Sequence, residues 1–296
     1  MRRLVRLALL AFLTGLPAPG IAQSPGVPAV RGIKLDKPPA SGSVSEYTVP
    51  SKSYGRDRRV WVYTPPGYSP RDPADHDLLV VFDGGVYLGD IPLPTILDTL
   101  ITAKRIRPTV AVLFDDSSST ARLADLANHE SFAKFVGGEL VPWVRSRWKV
   151  THDPHRTTIT GSSAGGLASA FVALRHPDLF GNVLSQSGAF WRGAEGSNGA
   201  PFEWFTAQVA AGEKRDLRFF LDVGSTESHG AIGGTAPSIL EANRRLRDAL
   251  HAKGYEVTYT EVPGGGHAAE FWRQRVAVGL VTLAGREPGK SDVGKR

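Results

Sequence analysis

Ser163 sits in Gly161-Ser162-Ser163-Ala164-Gly165, a G-x-S-x-G spacing that can present a serine hydroxyl as a nucleophile. Alone, so short a pattern is weak. Its setting strengthens it, because a β-branched run, Thr157-Thr158-Ile159-Thr160, leads directly into it and a helical pattern from Leu167 to Leu174 follows. A strand–turn–helix of this kind is tight enough to demand small residues at Gly161 and Gly165. It also lifts the serine off the sheet beside the unpaired N–H groups of a helix start. A serine hydroxyl needs a base, and His267 is the best candidate. It lies in Pro263-Gly264-Gly265-Gly266-His267, after the last apolar strand pattern and before the last helical one. His229 is a rival in a polar loop with no strand leading into it. Two acids could orient the imidazole: Asp222 at a strand end, and Glu227 in the loop beyond. Loop placement favours Glu227, with Asp222 and an acid-free Ser–His dyad as the alternatives.

A nucleophile of this type forms a tetrahedral oxyanion, which backbone N–H groups must hold. Asp83-Gly84-Gly85-Val86-Tyr87 follows an apolar strand, Leu78–Phe82, and glycine permits close approach there. The N–H groups of Gly85 and Ala164 are therefore the candidate oxyanion donors. Ser185-Gln186-Ser187-Gly188 ends another strand on the same side of the sheet, where ligands bind in open α/β folds. Phe190, Trp191 and Arg192 just beyond are candidates to line a pocket, with simple packing an equal alternative. His152-Asp153-Pro154-His155 has metal-ligand residue types, but a solvated loop before the strand explains it better. The chemistry requires no metal and no organic cofactor.

The elements that must position these residues follow one rhythm. Short apolar runs at Leu78–Phe82 and Thr109–Phe114 read as strands buried on both faces. Arg59–Thr64, Thr157–Thr160, Asn182–Ser185, Arg218–Asp222 and Val257–Val262 read as further strands. Helical patterns occupy Phe132–Trp148, Leu167–Leu174, a segment opened by a Ser238–Glu241 capping box and running to Lys253, and Phe271–Leu283. The alternation predicts an α/β fold: a mostly parallel sheet with helices on both faces.

With 296 residues, 41% hydrophobic and 22% charged, the chain can bury a large core, and a disordered or fibrous protein is excluded. It has no Cys, which removes disulfides, thiolate nucleophiles and Cys-ligated metal centres. The formal charge of +6 is partly carried by Arg2, Arg3 and Arg6, ahead of an apolar run, Leu7 to Leu13, that leads into Gly20-Ile21-Ala22. These features predict a secretory signal over 1–22, cleaved after Ala22, and hence a periplasmic or secreted protein with no stable membrane anchor. The modest charge left gives no nucleic-acid footprint. Residues 23–45 read as a linker or arm, 46–286 as the folded domain and 287–296 as a polar tail; the pattern does not define an oligomeric state.

Three stretches then resemble one family. They are Gly161–Leu167, His176-Pro177-Asp178-Leu179-Phe180-Gly181, and Val183–Trp191 with its Ser-Gln-Ser-Gly core. With Val60–Tyr68 near the start and His267 with Phe271-Trp272-Arg273 near the end, they are similar to the enterochelin (enterobactin) esterases of the wider esterase D family. The resemblance runs from about Ser45 to Leu283. It implies an α/β-hydrolase fold, hydrolysis of a small-molecule ester, Ser163 as nucleophile, His267 as base and Glu227 as acid. It also implies that Arg122 contacts an acidic or catecholate substrate. The chain lacks the N-terminal domain of the larger cytoplasmic enterochelin esterases, so a siderophore trilactone is only one candidate substrate. A feruloyl or acetyl-polysaccharide esterase, an acyltransferase of the same fold and a catalytically dead binding protein are the alternatives.

Overall fold

The computed structural model describes residues 33, 37–72, 74–115, 119–194, 199–231 and 233–285. The expected signal segment, most of the expected arm and the C-terminal tail lie outside them. Among the described residues the strands are β1 (Ser43–Val49), β2 (Arg58–Thr64), β3 (Asp77–Phe82), β4 (Thr109–Phe114), β5 (Thr157–Ser162), β6 (Asn182–Gln186), β7 (Arg218–Gly224) and β8 (Glu256–Val262). They form one eight-stranded sheet in the order β1-β2-β4-β3-β5-β6-β7-β8. β1 and β2 pair antiparallel, as do β2 and β4, and every later pairing is parallel.

The helices are α1 (Gly84–Leu88), α2 (Leu93–Thr102), α3 (Ser119–Asp125), α4 (Glu130–Phe135), α5 (Val141–Arg145), α6 (Ala164–Arg175), α7 (Trp204–Ala211), α8 (Ile239–Ala252) and α9 (Ala269–Ala284). Strand side chains alternate between two cores, as the period of two requires. Leu78, Val80, Phe82, Val110, Val112 and Phe114 pack with Leu167 and Phe171 of α6 and Leu246 and Leu250 of α8. Leu79, Val81, Ala111 and Leu113 face the other way, against Leu97 and Leu100 of α2 and Val276 and Leu280 of α9. All six residues of β3 and of β4 are buried, which accounts for their unbroken apolar runs.

Helices α2, α3 and α7 have no counterpart in the sequence reading, and three further elements depart from it. β1 begins at Ser43, three residues before the boundary drawn at Glu46, and six of its seven residues are exposed. Its backbone register against β2 holds it, with Tyr47 edge-on to Trp143 and Trp148, and Val49 alone of its residues is buried. The helix expected over Phe132–Trp148 ends at Arg145 and is interrupted by a π-helical turn, Val136–Leu140. Pro142 has no N–H to return to the preceding turn, and the Val141 N–H reaches back five residues to Val136 O, widening the helix there. Finally, Gly84 and Gly85, for which no helix is read from the sequence, begin the short helix α1.

Candidate active site

β5 ends at Ser162 and α6 starts at Ala164, which leaves Ser163 alone at the corner with φ 56° and ψ −119°. A left-handed φ is costly for a serine and persists only where its neighbours impose it. The Ser163 N–H donates to Gln186 O at 2.8 Å, and the Ser163 carbonyl accepts from Leu167 N at 3.1 Å and Ala189 N at 2.9 Å. Close packing requires glycine at the flanks. A Cβ at Gly161 would lie 2.6 Å from the Gly165 carbonyl carbon, and one at Gly165 would lie 2.7 Å from Asp83 Oδ2. The first is the backbone collision expected from the sequence; the second is with a side chain.

The Ser163 hydroxyl lies 2.9 Å from His267 Nε2, and His267 Nδ1 lies 2.6 Å from Glu227 Oε2. Because a carboxylate can only accept, Nδ1 carries the proton and Nε2 is left to accept from the serine. The three residues come from the β5–α6 corner, the loop after β8 and the loop after β7. The Glu227 side chain is nearly sealed, at 3% exposure, whereas that of His267 is 38% exposed. Glu227 Oε1 accepts from the Gly224 N–H at 2.8 Å and the Ser187 hydroxyl at 2.6 Å. The Ser187 oxygen accepts in turn from Trp272 Nε1 at 3.0 Å.

Asp222 stands outside this chain of contacts. Its carboxylate accepts from Gln186 Nε2 at 3.3 Å, while Tyr87 OH donates to Gln186 Oε1 at 3.0 Å. Burial pushes the Asp222 carboxyl up to about 7; Gln186 and Arg275 oppose the rise and Glu227 adds to it. Burial likewise raises the Tyr87 phenol, with Asp83 and Asp222 adding to the rise.

As the first residue of α6, Ala164 has an N–H with no acceptor inside the helix. The Gly85 N–H, the other candidate oxyanion donor, is engaged and donates to Asp115 Oδ2 at 3.1 Å. Asp115 directly follows β4, thirty positions along the chain, and nothing in the local pattern around Gly85 announces it. Arg122 is also committed differently from the expectation of a direct substrate contact. Its guanidinium grips both oxygens of Asp83, whose carboxyl stays raised because burial outweighs the opposing pull of the arginine and Asp115 adds to the rise. Arg192 is buried, and its Nε has no hydrogen-bond partner among the described residues. Desolvation, with Arg122 as a like charge nearby, lowers its pKa, and its guanidinium lies 5.7 Å from the half-buried Trp191 ring. Away from the site, His155 Nε2 meets Asp216 at 3.0 Å in an exposed pair, and His229 is exposed on its loop.

A sheet of this order, parallel from β4 onward, with a serine corner after β5, an acid after β7 and a histidine after β8, defines the α/β-hydrolase fold. Within that class the chain belongs to the family described as "Putative esterase", whose model matches residues 51–283. It is similar to the iron(III) enterobactin esterase of Escherichia coli K12, at 31% identity over 236 residues covering 79% of this chain and 55% of that protein. The crystal structure of the Shigella flexneri enterobactin esterase in the presence of enterobactin matches with a TM-score of 0.71. The identity there is 28%, with 83% of this chain and 60% of that one covered. A ferulic acid esterase shares the fold at 17% identity and a TM-score of 0.68, over 83% of this chain and 98% of its own. The chain thus spans little more than half the length of the enterobactin esterases it matches.

Proposed function

We propose that this chain is an exported serine esterase that cleaves a small carboxylic ester, with a siderophore trilactone as the leading substrate. The observation that carries the reading is the unbroken line Ser163–His267–Glu227 at a strained corner. Ser163 Oγ attacks the ester carbonyl and its proton passes to His267 Nε2, while Glu227 holds Nδ1–H and stabilises the imidazolium that forms. The Ala164 N–H, and the Gly85 N–H once it leaves Asp115, hold the oxyanion. His267 returns the proton to the departing alcohol, and a water activated by the same imidazole releases the acyl group from Ser163.

The trilactone reading is supported by the likeness to iron(III) enterobactin esterases. Arg192, buried just beyond the Ala189 N–H that donates to the Ser163 carbonyl, is a candidate cation for an acidic substrate group. Export rests on the sequence of residues 1–22 and places the activity in the periplasm or outside the cell. The test is hydrolysis of p-nitrophenyl esters and of a trilactone siderophore by the protein lacking residues 1–22, beside Ser163→Ala. Preferential trilactone cleavage that Ser163→Ala abolishes supports the whole reading. Cleavage of simple or aryl esters alone removes the siderophore. Equal activity in the variant removes Ser163 as nucleophile.

A further inference from the structure

The acid of the Ser163–His267–Glu227 line is itself held by a pair of residues that have no place in the chemistry above. Ser187 is 1% exposed and stands just past the end of β6 with φ 48°, a backbone state that a serine adopts only under constraint. Its hydroxyl can donate one proton. Because Trp272 Nε1–H already donates to its oxygen at 3.0 Å, that proton is directed to Glu227 Oε1, at 2.6 Å. With the Gly224 N–H on the same oxygen, rotation of the carboxylate is blocked and Oε2 alone faces the imidazole.

Trp272 acts on the base as well. Its indole meets the His267 ring edge-to-face, with centroids 5.1 Å apart and planes at 89°. The indole has little freedom to move, since its N–H is bound to Ser187 and its side chain is packed in the core beneath α9. One side chain therefore fixes the plane of the base and, through Ser187, the rotation of the acid.

We propose that Ser187 and Trp272 are positioning residues for the reaction, acting as one unit that keeps Glu227 and His267 in register with Ser163. The proposal rests on the esterase reading. Misplacing a catalytic group by a fraction of an ångström to an ångström costs up to about 100-fold in rate. The expected cost therefore falls on turnover and not on substrate binding.

The experiment compares wild type, Ser187→Ala, Trp272→Phe and the double variant by ester hydrolysis and by the rate at which a fluorophosphonate labels Ser163. Trp272→Phe removes the indole N–H and shrinks the bicyclic ring to a phenyl that still packs beside His267, so it carries the test even if Ser187→Ala folds poorly. Expected are a roughly 10- to 100-fold loss of kcat and of labelling rate in Ser187→Ala, with KM within about twofold. Trp272→Phe should lose less, and the double variant should lose less than the product of the two single losses, because both residues hold the same carboxylate. Losses confined to KM, additive losses in the double variant, or unchanged kcat and labelling in folded Trp272→Phe and Ser187→Ala would overturn the proposal. A wild type that neither hydrolyses esters nor reacts with the probe would overturn the esterase reading itself, and the proposal with it.

Discussion

The Gly85 amide donates its proton to the Asp115 carboxylate at 3.1 Å, so an anion already sits on the N–H group best placed by sequence to hold an oxyanion. An ionised acceptor binds an amide roughly twice as strongly as a neutral one. A substrate carbonyl therefore competes with Asp115 for this donor. Asp115→Asn should weaken the competitor and raise kcat/KM by about 3- to 10-fold, corresponding to roughly 1 kcal/mol. Steady-state kinetics on one ester settles this, and a rate equal to or below wild type would show that the contact does not compete.

Two glycines at the serine corner should differ in what they tolerate. Gly161→Ala places a methyl against the Gly165 backbone, which cannot move without opening the turn. Gly165→Ala instead meets a carboxylate, Asp83, that Arg122 holds from the other side. Overpacking of this kind costs about 1–3 kcal/mol and more where backbone must shift. Urea denaturation should therefore show both variants destabilised, Gly161→Ala the more so. The reverse order would mean that the Asp83–Arg122 pair is the stiffer wall.

The acid of the site can be tested by two isosteric changes. Glu227→Gln leaves the packing but presents a neutral group to His267 Nδ1, and should lower kcat by about 10²–10⁴-fold. Asp222→Asn should leave kcat within about threefold, since Asp222 meets Gln186 and not the imidazole. If Asp222→Asn is the crippled variant, the assignment of Glu227 is wrong.

What the sequence made legible was local. β4 spans the apolar run Thr109–Phe114, the Ser238–Glu241 capping box opens α8, and the strand before Ser163 runs straight into the corner, because each is specified by neighbouring residues. β1 was legible only in part. It buries almost nothing and so carries no alternation of apolar residues. The contacts that shape the site were invisible for a different reason. Ser187 lies 40 positions from Glu227, Trp272 lies 85 from Ser187, and Arg122 lies 39 from Asp83. Residue types and spacing can nominate Ser163, His267 and Glu227. Only the fold can reveal that Arg122 spends its charge on Asp83 and that Asp115 covers Gly85.

Asp222 should leave a signature in the pH dependence of stability. Burial holds its carboxyl up near 7 in the folded chain, against about 4 for an ordinary aspartate in the unfolded one. Between those values the folded chain keeps a proton that the unfolded chain releases. The proton count thus favours the folded state at low pH, and stability declines as pH rises through the window, levelling off above about 7. The slope from this one group is at most about 1.4 kcal/mol per pH unit. Asp222→Asn carries no such proton, and Gln186 can still donate to its amide oxygen, so the variant should gain on wild type steadily from pH 5 to pH 7. Other buried acids, Asp77 and Asp83, are also raised by burial, but they are common to both proteins and cancel in the difference. Urea unfolding of the pair at a series of pH values measures that difference directly. A difference that stays flat from pH 5 to 8 would mean that Asp222 is ionised throughout and that Arg275 and Gln186 outweigh its burial.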